Sequence, residues 1–376
     1  MNLTVPVPTF RTANILVNGT NSAVALKGIH SGRVAIIIGT SLDKNHIDRI
    51  IKLINHDDIL MVKRDWIFEP AIDGLKSRME EIEKFRPDLI VAIGGGSVID
   101  GAKLLWLFYE HPDLSLERNI SPMSVPPLRG KCKFAVIPTT AGSGSEVSSA
   151  AIIYHKESKR KIALISHDFI PDLVILDPEF LRSIPTNILL STVCDALSHA
   201  IEGYVSPISN PLIENFAEKC VQIVSNNWEK AVNESDAHSL NQLLIASTMA
   251  GWVQNHCLVG LAHAIAHQLT QYRVPHAIAN AILLPEVIKH NAESDKNTEL
   301  KYRTLAKNSG LKESYHALID LINDITHHAV IPRSLSKYNV ILTDGLMLNI
   351  LDDPLVQSNP VKIECDDVKK ILSYLI

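Results

Sequence analysis

Along the first half of this chain the apolar residues fall into short continuous runs; along the second half they recur at helical spacing. Val34-Ala35-Ile36-Ile37-Ile38 is a β-branched run that stops at Gly39, the pattern of a parallel strand buried on both faces. Pro87 to Ile93, Phe134 to Ile137 and Leu173 to Leu176 repeat it, the last closed by Asp177-Pro178. Asp73 to Phe85 reads as an amphipathic helix feeding the strand at Leu89, and a helical pattern resumes from Val98 to Phe108. This rhythm predicts an α/β unit with an open, mostly parallel sheet, whose ligands bind beyond the carboxyl ends of the strands.

Around Ser183-Ile184-Pro185-Thr186 the pattern changes. From Asn187 onward the spacing is helical, with Asn339-Val340-Ile341-Leu342 the one short β-type run and Asn291 to Lys301 a polar loop or helix edge. The 376 residues are therefore expected to divide into an α/β domain, residues 1–184, and an all-helical domain, residues 185–376. Leu3 to Val17 alternates like an edge strand, which needs cover from its own domain or a pairing partner.

Composition narrows the function classes. A net charge of −5 argues against nucleic-acid binding or a polybasic membrane role. The five cysteines (Cys132, Cys194, Cys220, Cys257, Cys365) are scattered and never form a Cys-x-x-Cys pair. That usage fits a reducing cytoplasm and argues against a disulfide scaffold or a thiolate zinc site. No apolar run reaches the ~18 residues of a membrane span, and the first residues lack the pattern of a signal peptide.

Two glycine-rich turns follow strands. Gly94-Gly95-Gly96-Ser97 comes directly after the Pro87–Ile93 run and before a helix, where backbone N–H groups and the helix N-terminus attract an anion. A tight turn without a ligand is the alternative. Pro138-Thr139-Thr140-Ala141-Gly142-Ser143-Gly144-Ser145-Glu146 follows the next strand, and its hydroxyls and glycines suit phosphate or ribose. Gly142-Ser143-Gly144 puts glycine where a hydrolase elbow needs serine, so a serine hydrolase is set aside.

The helical half carries the candidate metal chemistry. Asp195 and His199 stand four apart in a segment whose Leu189, Val193, Leu197 and Ile201 mark helical spacing, so both can reach one point. Such a pair is also a common surface ion pair. His263 and His267 are again one turn apart, and Pro275 reads as a helix start with His276 behind it. That makes five candidates for a site that needs about four. Spacing alone does not choose among them.

Taken together, the Gly-Gly-Gly-Ser turn, the Pro-Thr-Thr-Ala-Gly-Ser-Gly-Ser-Glu loop, Asp195-Ala-Leu-Ser-His-Ala-Ile-Glu-Gly-Tyr204 and the Gly260-Leu-Ala-His…His…Pro-His276 run resemble the iron-containing (group III) alcohol dehydrogenase family. The resemblance spans nearly the whole chain. It implies a Rossmann-like α/β domain joined to an all-α domain, an architecture shared with dehydroquinate synthase. It further implies a divalent metal, usually Fe(II) and sometimes zinc or another cation, on Asp195, His199, His263 and His276, with His267 beside the nicotinamide as the catalytic candidate. Gly94, Gly95, Gly96, Ser97, Thr139, Thr140, Ser143 and Ser145 would hold the cofactor, and the resemblance adds Asp100, Lys161 and Leu176. NAD-preferring members tend to carry an aspartate after the first strand; here Gly39-Thr40-Ser41 has no acid, which leans toward NADP(H), although a dual NAD/NADP enzyme would leave the same signature. The family also implies a homodimer whose first strands pair across a two-fold axis.

The expected reaction is hydride transfer between nicotinamide and a small alcohol or carbonyl polarised by the cation. A dehydroquinate synthase-like lyase is the nearest rival, disfavoured by Asp195 and by the lack of Lys or Arg from Asp195 to Ile213. Glycerol dehydrogenase-like polyol oxidation differs only in substrate. A nucleotide sensor without catalysis would not need so complete a ligand set.

Overall fold

The computed structural model describes residues 10–29, 32–40, 42–64, 66, 70–114, 125–155 and 160–376. Its first half alternates β1 (Ile15–Asn18), β2 (Arg33–Ile38), α1 (Lys44–Leu53), β3 (Asp58–Lys63), α2 (Ile72–Phe85), β4 (Leu89–Gly94), α3 (Gly96–Glu110) and β5 (Lys133–Pro138). An antiparallel hairpin, β6 (Ala150–His155) and β7 (Arg160–Ile165), precedes β8 (Leu173–Leu176). The six-stranded sheet runs β1-β8-β5-β4-β2-β3, and its pairings are all parallel. Val34 to Ile38 of β2 are at most 1% exposed, as a β-branched run between two layers requires.

Helix α3 is buried from Val98 to Glu110 and forms the spine of this half. Lys103, fully buried in it, donates to the Ser148 and Ala150 carbonyls at 2.9 and 2.7 Å and so ties β6 to α3. Burial lowers its pKa to about 8 against the pull of Asp100.

After β8 the regular elements are helical: α4 (Thr186–Val205), α5 (Pro211–Asn233), α6 (Ala237–Cys257), α7 (Leu261–Leu269), α8 (His276–Ser294), α9 (Lys296–Asn308), α10 (Tyr315–His328), α11 (Asp344–Leu351) and α12 (Cys365–Ser373), with short 3₁₀ turns between some of them. The change of pattern near residue 184 falls just before α4. The loop after β5 packs directly on these helices. A Cβ on Gly142 would lie 2.3 Å from the Thr192 carbonyl oxygen of α4. Gly144, at φ +59°, would put one 2.3 Å from the Gly251 Cα of α6. Glycine is required at both places because the neighbour is backbone.

Two expectations change, and a third lies partly outside the described residues. Asn339–Leu342 is not a strand, and the Ile341 carbonyl accepts from Tyr272 Oη at 3.1 Å instead. Asn291 to Lys301 is almost wholly helical; α8 runs to Ser294, and Asp295 caps α9 by accepting from the Thr298 N–H at 2.7 Å. The strand expected over Leu3–Val17 is described only from residue 10, where Ile15–Asn18 pairs in parallel with β8 of its own chain.

Candidate metal centre and dinucleotide cradle

On α4, Asp195 and His199 point into the interior at 4% and 3% exposure. The first turn of α7 delivers His263, and α8 begins at His276, with Pro275 as its N-cap. One ligand atom from each of Asp195, His199 and His263 lies within 4.8 Å of the others. His276 Nε2 reaches the same carboxylate, 3.8 Å from Asp195 Oδ1, and His263 Nε2 is 3.7 Å from it. The four side chains the resemblance implied are thus brought together.

Glu202, one turn beyond His199, was not assigned a role in the sequence. Its Oε2 is 2.5 Å from His263 Nδ1, and its Oε1 accepts from the Ala262 N–H at 2.7 Å. The carboxylate holds the proton on Nδ1, which leaves the His263 Nε2 lone pair facing Asp195. Asn280, one turn beyond His276, was missed as well. Its Nδ2 lies 2.8 Å from Asp195 Oδ1, 3.0 Å from His263 Nε2 and 3.3 Å from His276 Nε2. Three electron-pair donors therefore converge on the N–H hydrogens of one amide. Helical spacing from His199 and His276 is the signal that would have found both residues.

The protonation states suit a cation. Burial lowers the His199 pKa to about 4, although Asp195 opposes the shift. His276 is held well below the ordinary range, first by burial and then by the charge of Lys161. Neutral imidazoles beside one carboxylate are the donor set of a divalent transition metal, whereas an ordinary ion pair would need a protonated ring. His276 Nδ1 and Asn280 Oδ1 are buried without a hydrogen-bond partner among the described residues. The residues present fit a metal ion.

His267 stands apart from the cluster. Its Nδ1 is 3.0 Å from Asp353 Oδ2, and its ring stacks on His276 with centroids 5.7 Å apart. Burial lowers its pKa, with Asp353 opposing. Asp353 is the third residue that the sequence did not mark.

In the α/β half, the glycine turn closes β4 onto α3. Gly95 is the N-cap of α3 and supplies no side chain to cap it. A Cβ on Gly95 would sit 3.0 Å from Thr140 Cγ2, and one on Gly96 2.8 Å from the Ser143 side chain. Glycine lets the second loop fold down over the first, and the Thr139 N–H donates to the Gly94 carbonyl at 3.0 Å. Gly39 lies beside this turn, donating to the Ile93 carbonyl at 3.4 Å, and Thr40 is exposed; Ser41 lies outside the described residues. Asp100 and Ser145 hydrogen-bond each other, and Asp100 Oδ2 also accepts from the Ile152 N–H at 3.2 Å, so this pair braces the hairpin. Leu176 is buried at the end of β8, its carbonyl accepting from the Gly19 N–H at 3.0 Å. Lys161, on β7, brings its charge to bear on His267 and His276. The hairpin thereby joins the two sites.

A nucleotide-type parallel sheet facing a carboxylate–histidine cluster defines a metal- and dinucleotide-dependent oxidoreductase. The family profiles narrow this: residues 16–178 match "Iron-containing alcohol dehydrogenase", and residues 189–376 match "Fe-containing alcohol dehydrogenase family, C-terminal". The chain belongs to the iron-containing alcohol dehydrogenase family and is an alcohol dehydrogenase of that metal-dependent type. It is 29% identical over 368 residues to an NADPH-dependent butanol dehydrogenase of Clostridium saccharobutylicum, covering 94% of each chain. To an alcohol dehydrogenase of Thermococcus barophilus it is 32% identical over 317 residues, covering 81% of each. The solved iron-containing alcohol dehydrogenase of Thermococcus thioreducens superposes with a TM-score of 0.85 at 26% identity, over 98% of this chain and 99% of that one. No helix among the described residues is long and apolar enough to cross a membrane.

Proposed function

We propose that the protein interconverts small alcohols and their aldehydes or ketones with NADP(H) as preferred cofactor, on a divalent cation held by Asp195, His199, His263 and His276. The convergence of His263 and His276 Nε2 on one oxygen of Asp195 carries this reading. When bound, the cation supplies Lewis-acid polarisation of the substrate oxygen, and the nicotinamide supplies or accepts hydride. Fe(II) is the first candidate, with zinc next. Glu202 orients His263, and the buried walls exclude water. His267, steadied at Nδ1 by Asp353, moves the alcohol proton through Nε2.

The cofactor lean rests on the Gly39-Thr40 turn, which has no carboxylate to repel a 2′-phosphate, and on the NADPH dependence of the butanol dehydrogenase relative. The chain works in the cytoplasm as a homodimer: its cysteines are free, and β1 is an edge strand with β8 on one side. Light scattering after size exclusion checks the dimer, and a monomer at micromolar concentration refutes it.

Two measurements test the assignment. His276→Ala should lose stoichiometric metal and at least ~10³-fold in turnover while its circular dichroism persists. Retained metal with near-normal turnover would sink the ligand set. Thr40→Asp should shift preference toward NAD(H) by about tenfold or more, and an unaltered enzyme that already uses NAD(H) ten times better overturns the cofactor reading.

A further inference from the structure

Beyond β2 in the sheet order lies β3, and the residue that leaves it at the carboxyl edge is Arg64. Its N–H extends the β2–β3 ladder by donating to the Ile38 carbonyl at 3.0 Å, which sets it beside the Gly39-Thr40 turn. The side chain crosses back toward the cradle, where Nη1 donates to Ser97 Oγ at 3.2 Å. Trp66, 6% exposed, fastens the segment that carries Arg64. Its Nε1 donates to the same Oγ at 2.9 Å, and its ring lies so close to α3 that a Cβ on Gly101 would be 2.2 Å from it.

Ser97 Oγ thus accepts twice from the protein. A hydroxyl has two lone pairs and one proton, so neither bond uses the Ser97 proton. An arginine and a serine donor meet between the α3 N-terminus and a turn without an acid.

We propose that Arg64 is a specificity-determining residue of the dinucleotide site and that its guanidinium recognises the phosphate on the adenosine 2′-oxygen of NADP(H). The planar fork matches phosphate oxygens, and an arginine near the ribose end is the physical counterpart of the carboxylate that reads a free 2′-hydroxyl. This deepens the NADP(H) reading above and rests on it. A diphosphate contact would draw on the same donors but would not distinguish the two cofactors.

Two nucleotides that differ only by the 2′-phosphate separate these cases: adenosine 2′,5′-bisphosphate and adenosine 5′-monophosphate, titrated by calorimetry into the metal-loaded protein. Arg64→Gln should weaken the bisphosphate about 10- to 100-fold and the monophosphate less than about twofold. NADPH binding, followed by its fluorescence, should fall with the bisphosphate while NADH binding holds. Equal weakening of both nucleotides, or no change in either, overturns the proposal. Should Arg64→Gln fail to fold, Arg64→Lys decides, since it keeps the charge and loses the fork: a selective loss for the bisphosphate supports the assignment and an equal loss refutes it. An unaltered protein that binds both nucleotides equally refutes the NADP(H) reading itself. One that discriminates, with Arg64→Gln unchanged, refutes the role of Arg64 alone.

Discussion

The two halves of the chain build their sites from different materials. In the α/β half the cradle is backbone: glycines at 94–96, 142 and 144 let two loops and a helix N-terminus come within contact of each other. In the helical half the centre is side chain: one carboxylate and three imidazoles on α4, α7 and α8, oriented by Glu202 and Asn280. A backbone site tolerates changes of side chain chemistry but no added volume, whereas a side-chain site tolerates neither the loss of a donor atom nor the loss of its orienting partner. The same difference separates what each half loses when it is disturbed.

Adding volume is the severest way to break the contrast. Gly144→Ala forces a Cβ into a left-handed backbone and against Gly251, and it should cost about 2–4 kcal/mol of stability. Nucleotide affinity should fall with it, because the loop over α3 is displaced. Urea unfolding and NADPH titration measure both, and a variant as stable as the parent would show that the loop does not depend on this close approach.

Glu202→Gln probes the other half with almost no change of volume. The amide no longer holds the His263 Nδ1 proton as a carboxylate does, so metal affinity should drop about 10- to 100-fold. Metal competition with a chelator gives the number. Nucleotide binding in the metal-free protein should be unaltered, and an unchanged metal affinity would remove Glu202 from the account.

Alkaline pH sharpens the comparison further. Burial raises the Cys194 and Cys220 thiols in the helical half from 9.0, the latter to about 12. A raised acid keeps its proton in the folded chain and sheds it on unfolding. Its stabilising contribution is whole below pH 9 and drains away as pH climbs toward the folded value, at about 1.4 kcal/mol per thiol per pH unit. In the α/β half, burial raises Cys132 in the same way, but Lys103 runs opposite. Its pKa falls from 10.5 to about 8, so between those values the unfolded chain holds the extra proton and its contribution grows with pH. Urea unfolding at pH 9 and pH 10 should show a net loss that Cys220→Ala flattens and Lys103→Met steepens. An alkaline loss indifferent to Cys220→Ala would mean that this thiol does not govern it.

The strands β2, β4, β5 and β8 were legible because each is a continuous β-branched or apolar run, and that pattern has one stable outcome when helices cover both faces. The helices carrying Asp195, His199, His263 and His276 were legible from spacing and from Pro275. The β6–β7 hairpin was not, since its strands are held by pairing with each other and by contacts to α3 through Lys103 and Asp100, residues about 45 to 50 positions away. Lys161, which the resemblance offered as a cofactor contact, lies on this hairpin, and its charge acts on His267.

Sequence alone determined what is local: the strand and helix periods, the glycine turns after strands, and the presence of one carboxylate and several imidazoles at helical intervals. Among the five metal candidates it could not choose by spacing, because His263 pairs as readily with His267 one turn away as with residues on other helices. Tertiary packing sets them apart. It turned His267 to Asp353, drew His276 across to Asp195 and set Glu202 behind His263. Such contacts join residues about 60 to 90 positions apart and exist only once α4, α7 and α8 share a core, so their distances follow from three-dimensional packing and from no pattern along the chain.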